Sequence, residues 1–352
     1  MRFRAELDAL VPYEPPRMSE EAAAERDADG YVKLTSNELS FGPLPEAEAA
    51  LAEALPRANR YPDRQAHSLR EAVAAANSGA DPTKNVLVGN GSSEVLMNLL
   101  HLIERPGEVV FPWPSFGLYV AIGITLGLRP RKVPLTERHE AKPEALLSAV
   151  TDETRAVILA NPNNPTGAYL ALEEVRGLAD SLPEDVFLIL DEAYQEFVSD
   201  PAYHGSHELA LERDNVVCVR TFSKAHGLAG FRVGYGIASE RVSDYAERVR
   251  FPFSVNLAAQ VAATASMRAR EKIRSRAEFV IRERERVQES FREAGLTYVP
   301  SQGNFVLVET RPEVFEKGGV LVREGEALGC PGWSRVTIGD SGENDRVIGA
   351  LS

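Results

Sequence analysis

The sequence predicts an α/β fold, in which helices flank a mostly parallel central sheet and a smaller α+β unit follows. Short apolar runs alternate with helical stretches, as expected for parallel strands that are covered on both faces. The clearest runs are AVILA (156–160), VFLIL (186–190) and VVCV (216–219). After Pro252 the pattern changes to long, charged helical stretches and then to three β-like segments.

Taken in order, the chain divides into three predicted parts. Residues 1–30 form a polar arm in which prolines interrupt any early helix, and a short acidic helix follows between Ser19 and Gly30. We expect this arm to dock on the small domain or on a partner subunit. Residues 31–252 form the large domain and residues 253–352 the small one. The large domain alternates helices (45–55, 67–77, 93–104 and 172–182) with strands (31–34, 86–88, 109–111, 156–160, 186–190, 216–219 and 233–238).

Length and charge narrow the function classes. The 352 residues can bury a full core, and a formal net charge of −13 argues against a general nucleic-acid or anionic-membrane binder. Two cysteines, Cys218 and Cys330, are too few for a disulfide framework. No signal-peptide pattern and no apolar run of about 18 residues is present. These features predict a cytoplasmic protein.

One lysine lies at the carboxyl end of a buried-looking strand. Lys224 follows the apolar run 216–219 and the residues Thr221 and Ser223. Ligands collect at such strand ends, and a desolvated lysine can form a Schiff base with a carbonyl compound. An ordinary solvated surface lysine is the competing interpretation.

A second candidate element is the segment GNGSSE (89–94 with Gly89 at its start), which follows a strand and opens a helix. Backbone N–H groups at a helix start bind anions. The segment lacks the third glycine of a dinucleotide fingerprint, and no acidic strand end follows about 20 residues later. A phosphate monoester therefore suits it better than NAD, although a plain glycine turn with Ser92 or Ser93 as helix cap is also consistent.

Two further strand ends carry polar residues. NPNNPTG (161–167) follows one strand, and its prolines can hold Asn164 as a fixed donor or simply stiffen a turn. Asp191 ends VFLIL, where a carboxylate is costly unless it meets a cation or caps the next helix. Pyridoxal 5′-phosphate (PLP) needs a lysine, a carboxylate for its ring nitrogen, donors to its phenolate oxygen, a stacking ring and an anion cup. The sequence contains a candidate for each.

At these motifs the chain resembles the fold-type I, PLP-dependent aminotransferases of class I and II. The resemblance rests on TFSKAHGLAGFRVGY, DEAY, NNPTG, PSFGLY, KLTSNELSFGP and RYPD, and it covers most of the chain. It implies a Schiff-base lysine at Lys224, a ring-nitrogen partner at Asp191, and phenolate donors at Asn164 and Tyr194. The implied phosphate cup consists of Gly91, Ser92, Ser93, Ser223 and Arg232. Phe116 stands where many relatives have a stacking tyrosine.

The same resemblance implies substrate and subunit contacts. Asn37 and Tyr13 are expected to face the substrate, and Arg335 in WSRVTIG and Arg323 in LVREG to bind its anionic groups. A guanidinium can grip a carboxylate or a phosphate. Tyr61 is expected to reach the cofactor phosphate of the neighbouring subunit of a homodimer; without the family, a partly buried ring beside Pro62 would be preferred.

Within the family, the motifs are most similar to the members that transaminate histidinol phosphate with 2-oxoglutarate in histidine biosynthesis. An aromatic amino acid aminotransferase is the main alternative. A PLP decarboxylase and a non-catalytic binding protein on the same fold are weaker ones. The pair His204 and His207 lies in a polar, glycine-containing stretch, so we predict no metal site.

Overall fold

The computed structural model of the chain describes residues 3–10, 30–203 and 205–351. Within these ranges the strands are β1 (Val32–Leu34), β2 (Val86–Gly89), β3 (Glu108–Trp113), β4 (Arg129–Pro134), β5 (Thr154–Ala160), β6 (Phe187–Asp191), β7 (Val216–Thr221), β8 (Gly234–Ile237), β9 (Tyr298–Val299), β10 (Phe305–Val308), β11 (Val320–Glu324) and β12 (Ser334–Thr337). The helices are α1 (Pro45–Ala54), α2 (His67–Ala76), α3 (Ser92–His101), α4 (Leu118–Thr125), α5 (Pro143–Ala149), α6 (Leu172–Ser181), α7 (Ser206–Glu212), α8 (Glu240–Val249), α9 (Leu257–Arg268), α10 (Arg270–Glu293), α11 (Pro312–Glu316) and α12 (Ser341–Gly349).

In the described residues, seven strands form the larger sheet, in the order β2-β8-β7-β6-β5-β3-β4. The pairs from β4 to β7 are parallel. Strands β5, β6 and β7 lie in the middle and are almost wholly buried, because apolar clusters cover both faces of the sheet. This arrangement confirms the predicted α/β class and explains why these strands are continuous apolar runs.

Two strands of the larger sheet differ from the expected pattern. β8 runs antiparallel to β2 and β7, so the expectation of parallel pairing is wrong for this strand. The connection from β7 to β8 contains only the short 3-10 helix Ala229–Phe231 and no crossover α-helix, which parallel pairing usually requires. The sequence analysis did not predict the edge strand β4, because its residues are mostly charged or proline. This composition protects an open sheet edge from pairing with other chains.

The smaller sheet has the order β1-β11-β12-β10-β9 in the part of the chain that the structure describes. Strand β1 pairs in parallel with β11, where Val32 lies opposite Val320. The sequence assigns 31–34 to the large domain, and the pairing of β1 corrects that assignment for this strand. Pattern alone could not reveal it, because the two partners lie almost the whole chain apart. The domain boundaries near 30 and 252 stay predictions.

The described part of the N-terminal arm lies against α4, a helix that flanks the larger sheet. Residues Ala5–Ala9 form a short 3-10 helix, and Arg4 Nη2 donates to the carbonyl of Thr125 at the end of α4 (2.6 Å). This contact is with the large domain, and docking of the arm on the small domain or on a partner subunit stays a prediction. Residues 11–29, which include Tyr13 and the predicted acidic helix, lie outside the described residues. None of the described helices is long and apolar enough to cross a membrane.

Candidate active site

Lys224 lies just beyond the end of β7, where the larger sheet faces the smaller one. Its Nζ donates a hydrogen bond to the carbonyl of Ser36 (3.0 Å) and lies 5.8 Å from the centre of the Tyr194 ring. Burial is the main reason why the pKa of Lys224 is lowered to about 7, and the positive charges of Arg335 and Arg232 contribute to the same lowering. Near neutral pH a large fraction of this amine is therefore unprotonated and can act as a nucleophile or a base.

Asp191 occupies the end of the neighbouring strand β6 and is 8% exposed. Its Oδ2 accepts a hydrogen bond from the hydroxyl of Tyr119 (2.8 Å), and its Oδ1 accepts one from the backbone N–H of Ala193 (3.2 Å). No described basic side chain forms an ion pair with it, and burial raises its pKa. A buried carboxylate in this condition has a strong preference for a cationic partner.

Asn37 connects the smaller sheet to the ring of Tyr194. Its Nδ2 donates to the Tyr194 hydroxyl (2.9 Å), and its own backbone N–H donates to Thr337 Oγ1 (3.0 Å). The backbone of Asn37 has a positive φ of 54° and its carbonyl accepts from Asn304 Nδ2 (3.1 Å). These contacts hold Asn37 in one orientation, so residues 157 positions apart in sequence lie in one site.

Arg335, on β12, reaches across to the larger sheet. Its Nη1 donates to Asn164 Oδ1 (2.5 Å) and its Nη2 donates to the carbonyl of Thr35 (2.6 Å). Arg323 on β11 lies directly opposite Arg335 in the antiparallel register. Two like charges directly opposite each other are unfavourable by themselves, so this pair of positions favours an anion between or above them.

The start of α3 is a closely packed backbone surface. Gly91 precedes the helix with φ of 80°, and Ser92 and Ser93 form its first residues. A Cβ atom on Gly234, at the start of β8, would lie 2.2 Å from the backbone nitrogen of Ser92. Only glycine fits at that position, and its absence of a side chain lets the strand approach the helix N-terminus.

Arg232 brings positive charge to the same helix start. A Cβ atom on Gly91 would lie 2.6 Å from Arg232 Nη2, so the guanidinium packs directly against this glycine. Arg232 Nη1 donates to the carbonyl of Ala229 (2.9 Å) and lies 3.4 Å from Ser223 Oγ. Free N–H groups, a helix dipole and a fixed guanidinium together form a site for a phosphate.

The two predicted aromatic contacts have different surroundings. Phe116 is 40% exposed and meets the ring of Tyr119 edge-on, with centroids 5.7 Å apart. Tyr61 is 83% exposed and stacks on Phe253 at 4.8 Å. Within the single chain, the alternative of a partly buried Tyr61 is therefore wrong. No hydrogen bond or ring contact joins Tyr61 to the other described site residues within this chain.

A buried ion pair lies beside the site. Arg220 Nε and Glu192 Oε2 are 2.8 Å apart, and both side chains are almost fully buried. The Tyr203 hydroxyl donates to Glu192 Oε1 (2.6 Å), and Arg220 Nη1 donates to Asn77 Oδ1 (2.8 Å). The sequence prediction missed this pair and also missed Tyr119. One signal was present: a tyrosine inside the apolar helix LYVAIGIT needs a partner for its hydroxyl.

Two predicted elements cannot be placed. Tyr13 and His204 lie outside the described residues. Among the residues that are described, no three His, Cys, Asp or Glu side chains lie close enough together to hold a metal ion.

Comparison with known proteins identifies the family. The family model described as aminotransferase class I and II matches residues 29–351. The chain belongs to the class I and II aminotransferases. The histidinol-phosphate aminotransferase of Rubrobacter xylanophilus is 80% identical over 351 residues, which is 100% of both chains. An aromatic amino acid aminotransferase of Cutibacterium acnes is 41% identical over 331 residues, 92% of each chain.

A solved structure agrees with this assignment. The histidinol-phosphate aminotransferase of Sinorhizobium meliloti, in complex with PLP, superposes with a TM-score of 0.86 at 27% identity, covering 99% of this chain and 96% of that one. The sequence-based prediction of a fold-type I aminotransferase is confirmed. This aminotransferase is accordingly a PLP-dependent enzyme that acts on an amino donor and a 2-oxo acid.

The described residues fit PLP. The glycine at position 91 leaves the start of α3 open beside Arg232, where a phosphate is favoured. Lys224 has the lowered pKa that attack on an aldehyde requires. Asp191 is a buried carboxylate that forms no ion pair with a described side chain, which suits a partner for a protonated ring nitrogen.

Proposed function

We propose that this aminotransferase transfers the amino group of histidinol phosphate to 2-oxoglutarate. The observation that carries the proposal is the cross-strand position of Arg335 and Arg323, which places two arginines directly opposite each other on neighbouring strands beside the site. Such a pair suits a phosphate in one half-reaction and a carboxylate in the other. The 80% identity to the Rubrobacter xylanophilus relative supports the same substrate.

The proposed chemistry uses Lys224 and Asp191 in different roles. When bound, PLP supplies an electron-withdrawing ring that can accept the electrons of a Cα–H bond. Lys224 Nζ removes the Cα proton of the substrate, for which the amine must be neutral. Asp191 holds a proton on the ring nitrogen. The role of Lys224 agrees with its lowered pKa, which burial causes and which leaves much of the amine neutral near pH 7.

The remaining residues orient the reactants. We assign hydrogen bonds to the phenolate oxygen to Asn164 and Tyr194, and the stacking contact to Phe116. The cofactor phosphate is assigned to Gly91, Ser92, Ser93, Ser223 and Arg232, and the substrate to Asn37, Arg323, Arg335 and Tyr13. Burial raises the pKa of Tyr194, so its hydroxyl remains a proton donor at neutral pH. In the second half-reaction, glutamate or 2-oxoglutarate binds through its carboxylate to Arg323 and Arg335, the pair that binds the substrate's phosphate in the first half-reaction.

Single-turnover measurements distinguish the substrates. The yellow, PLP-loaded protein is mixed separately with histidinol phosphate, phenylalanine and glutamate, and the bleaching rates are compared. We expect the fastest bleaching with histidinol phosphate. A clear preference for phenylalanine would establish the aromatic alternative, which the Cutibacterium acnes relative favours. Release of carbon dioxide would indicate a decarboxylase, and the absence of bleaching with all three would indicate a binding protein.

We also infer a homodimer in which Tyr61 reaches the neighbouring active site. The ring is 83% exposed and borders a cleft of about 680 Å³ between α1, α2 and α9. Two other large apolar side chains are also highly exposed: Leu55, directly after α1, and Phe251, shortly before α9. Unshielded aromatic and apolar side chains of this kind are typical of an interface between subunits.

Mixed dimers test the role of Tyr61. The Tyr61→Ala and Lys224→Ala proteins are each expected to be weakly active or inactive. If Tyr61 serves the partner's site, subunits mixed in equal amounts and allowed to exchange recover about a quarter of the wild-type sites. Recovery no greater than the residual activity of Tyr61→Ala would mean that Tyr61 serves its own chain or none. The cytoplasmic location stays a prediction.

A further inference from the structure

Tyr119 is a wholly buried tyrosine whose hydroxyl contacts a residue of the proposed active site. Its hydroxyl donates to Asp191 Oδ2 over 2.8 Å. The ring packs edge-on between Phe111 and Phe116, each with its centroid 5.7 Å away. The ring is therefore fixed by packing, and its single polar atom points at the carboxylate.

The proton in this hydrogen bond stays on the tyrosine. Burial and the nearby charge of Asp191 raise the pKa of Tyr119 well above its usual value. The same hydrogen bond opposes the effect of burial on Asp191 and lowers the pKa of that carboxyl. Tyr119 is thus a permanent donor, and it stabilises the ionised form of Asp191.

The adjacent carboxylate, Glu192, is stabilised in a different way from Asp191. Glu192 also accepts a hydrogen bond from a buried tyrosine, Tyr203, over 2.6 Å. Glu192 in addition forms an ion pair with Arg220, so its charge is balanced within the protein. Asp191 has no ion pair with a described side chain, and the only described side-chain donor to it is Tyr119.

We propose that Tyr119 is a positioning residue that keeps Asp191 ionised, so that the proton shared between Asp191 and the cofactor's ring nitrogen remains on the nitrogen. This inference rests on the role proposed above for Asp191. Without the hydroxyl, the carboxylate becomes a stronger base and takes a larger share of that proton. The ring then withdraws electrons less strongly, and removal of the Cα proton slows.

The test compares Tyr119→Phe with Tyr203→Phe, which removes the corresponding tyrosine hydroxyl that donates to the neighbouring carboxylate, Glu192. A positive ring lowers the proton affinity of the Lys224 nitrogen joined to it. We therefore expect Tyr119→Phe to raise the pH midpoint of the cofactor's visible absorbance, by on the order of one unit. It should also lower kcat about tenfold with KM within about twofold. Tyr203→Phe should leave the midpoint and kcat unchanged and lower only the unfolding temperature.

Two further variants make the outcome decisive. In the Asp191→Asn background, Tyr119→Phe should change kcat less than about twofold, because the carboxylate through which it acts is gone. Site-specific 3-fluorotyrosine at position 119, a stronger donor of nearly the same size, should move the midpoint downward and covers the case that Tyr119→Phe does not fold. An unchanged midpoint in both position-119 proteins would overturn the proposal, as would an equal shift in Tyr203→Phe. An unchanged midpoint and turnover in Asp191→Asn would instead overturn the role of Asp191 itself.

Discussion

Two buried pairs, each made of one acidic and one basic residue, lie at or just beyond the ends of the same two strands, β6 and β7. Glu192 and Arg220 meet each other at 2.8 Å and balance their charges inside the protein. Asp191 and Lys224 do not: the described contacts of Asp191 are with neutral donors, and Lys224 Nζ donates to a backbone carbonyl. Burial therefore raises the pKa of Asp191 and lowers that of Lys224.

We propose that this difference separates a structural pair from a reactive one. A buried ion pair compensates its own desolvation, and breaking it is costly because a charge remains without a partner. A buried amine and a buried carboxylate that are kept apart both shift toward their neutral forms. A ligand that brings an opposite charge then stabilises the ionised form most strongly. Asp191 is the last residue of β6, and Glu192 follows it with its backbone N–H still bonded to the carbonyl of Val219 in β7. Successive residues of an extended chain point to opposite sides, which lets these two carboxylates serve different purposes side by side.

Lys224→Ala should produce the largest effect. We expect turnover to fall on the order of 10⁴-fold, because both the covalent attachment and the proton-transfer group are lost. The protein should remain folded, as judged by circular dichroism and its unfolding temperature. Lys84→Ala is the matched control, since Lys84 is an exposed lysine paired with Glu240. Normal turnover in Lys224→Ala would contradict the assignment.

Asp191→Asn and Glu192→Gln test the comparison directly. Asp191→Asn should lower kcat on the order of 10²-fold to 10³-fold, with a much smaller change in cofactor affinity. Its free energy of unfolding should stay within about 1 kcal/mol of the wild type. Glu192→Gln should show the reverse pattern: a loss of about 3 kcal/mol of stability and a small change in kcat. Denaturant titration and steady-state kinetics measure both quantities. Equal kinetic losses in the two variants would show that the neighbouring carboxylates do not differ in role.

Arg335 should influence the site through its charge. The positive charge of Arg335 contributes to the lowered pKa of Lys224, so Arg335→Gln should raise that pKa above its value of about 7. In the cofactor-free protein, the rate of PLP capture should rise through about pH 7 for the wild type, and the midpoint should move upward in Arg335→Gln. Arg335→Lys retains the charge and should keep the midpoint. A pH profile that is identical in Arg335→Gln would show that the charge of Arg335 does not affect the basicity of Lys224.

The pH dependence of stability gives a further test of the buried lysine. Lys224 titrates near pH 7 in the folded protein and near 10.4 when unfolded, so the unfolded chain binds more protons between these values. The cost of burying this lysine is fully present below about pH 7 and disappears as the pH rises toward 10.4. The stability of the wild type relative to Lys224→Ala should therefore increase with pH across this window. A flat difference curve would mean that Lys224 is charged in the folded state.

The sequence predicted the parts of the site that lie at strand ends. Lys224, Asp191 and Asn164 follow apolar runs, and the topology of a parallel sheet brings such ends together without further information. The helix start at Ser92 could also be predicted, because glycine and serine directly after a strand are typical of a turn into a helix.

Contacts that depend on distant pairing could not be predicted. The parallel pairing of β1 with β11 and the hydrogen bond from Asn37 to Tyr194 join segments that are far apart in sequence. Neither segment contains a local pattern that predicts its partner. The exposure of Tyr61 likewise depends on tertiary packing and not on the residues beside it. Tyr119 was missed because a tyrosine in an apolar helix predicts a buried ring but not the identity of its hydrogen-bond partner.

Chemical trapping tests the central claim, that Lys224 is the lysine kept neutral for the cofactor. The PLP-loaded protein is reduced with borohydride, which makes any lysine–cofactor bond permanent, and the digested peptides are mapped by mass spectrometry. The structure predicts one modified lysine, Lys224, in the peptide that contains TFSKAHG. Modification of an exposed lysine such as Lys33 or Lys84 in its place, with Lys224 unmodified, would contradict the account.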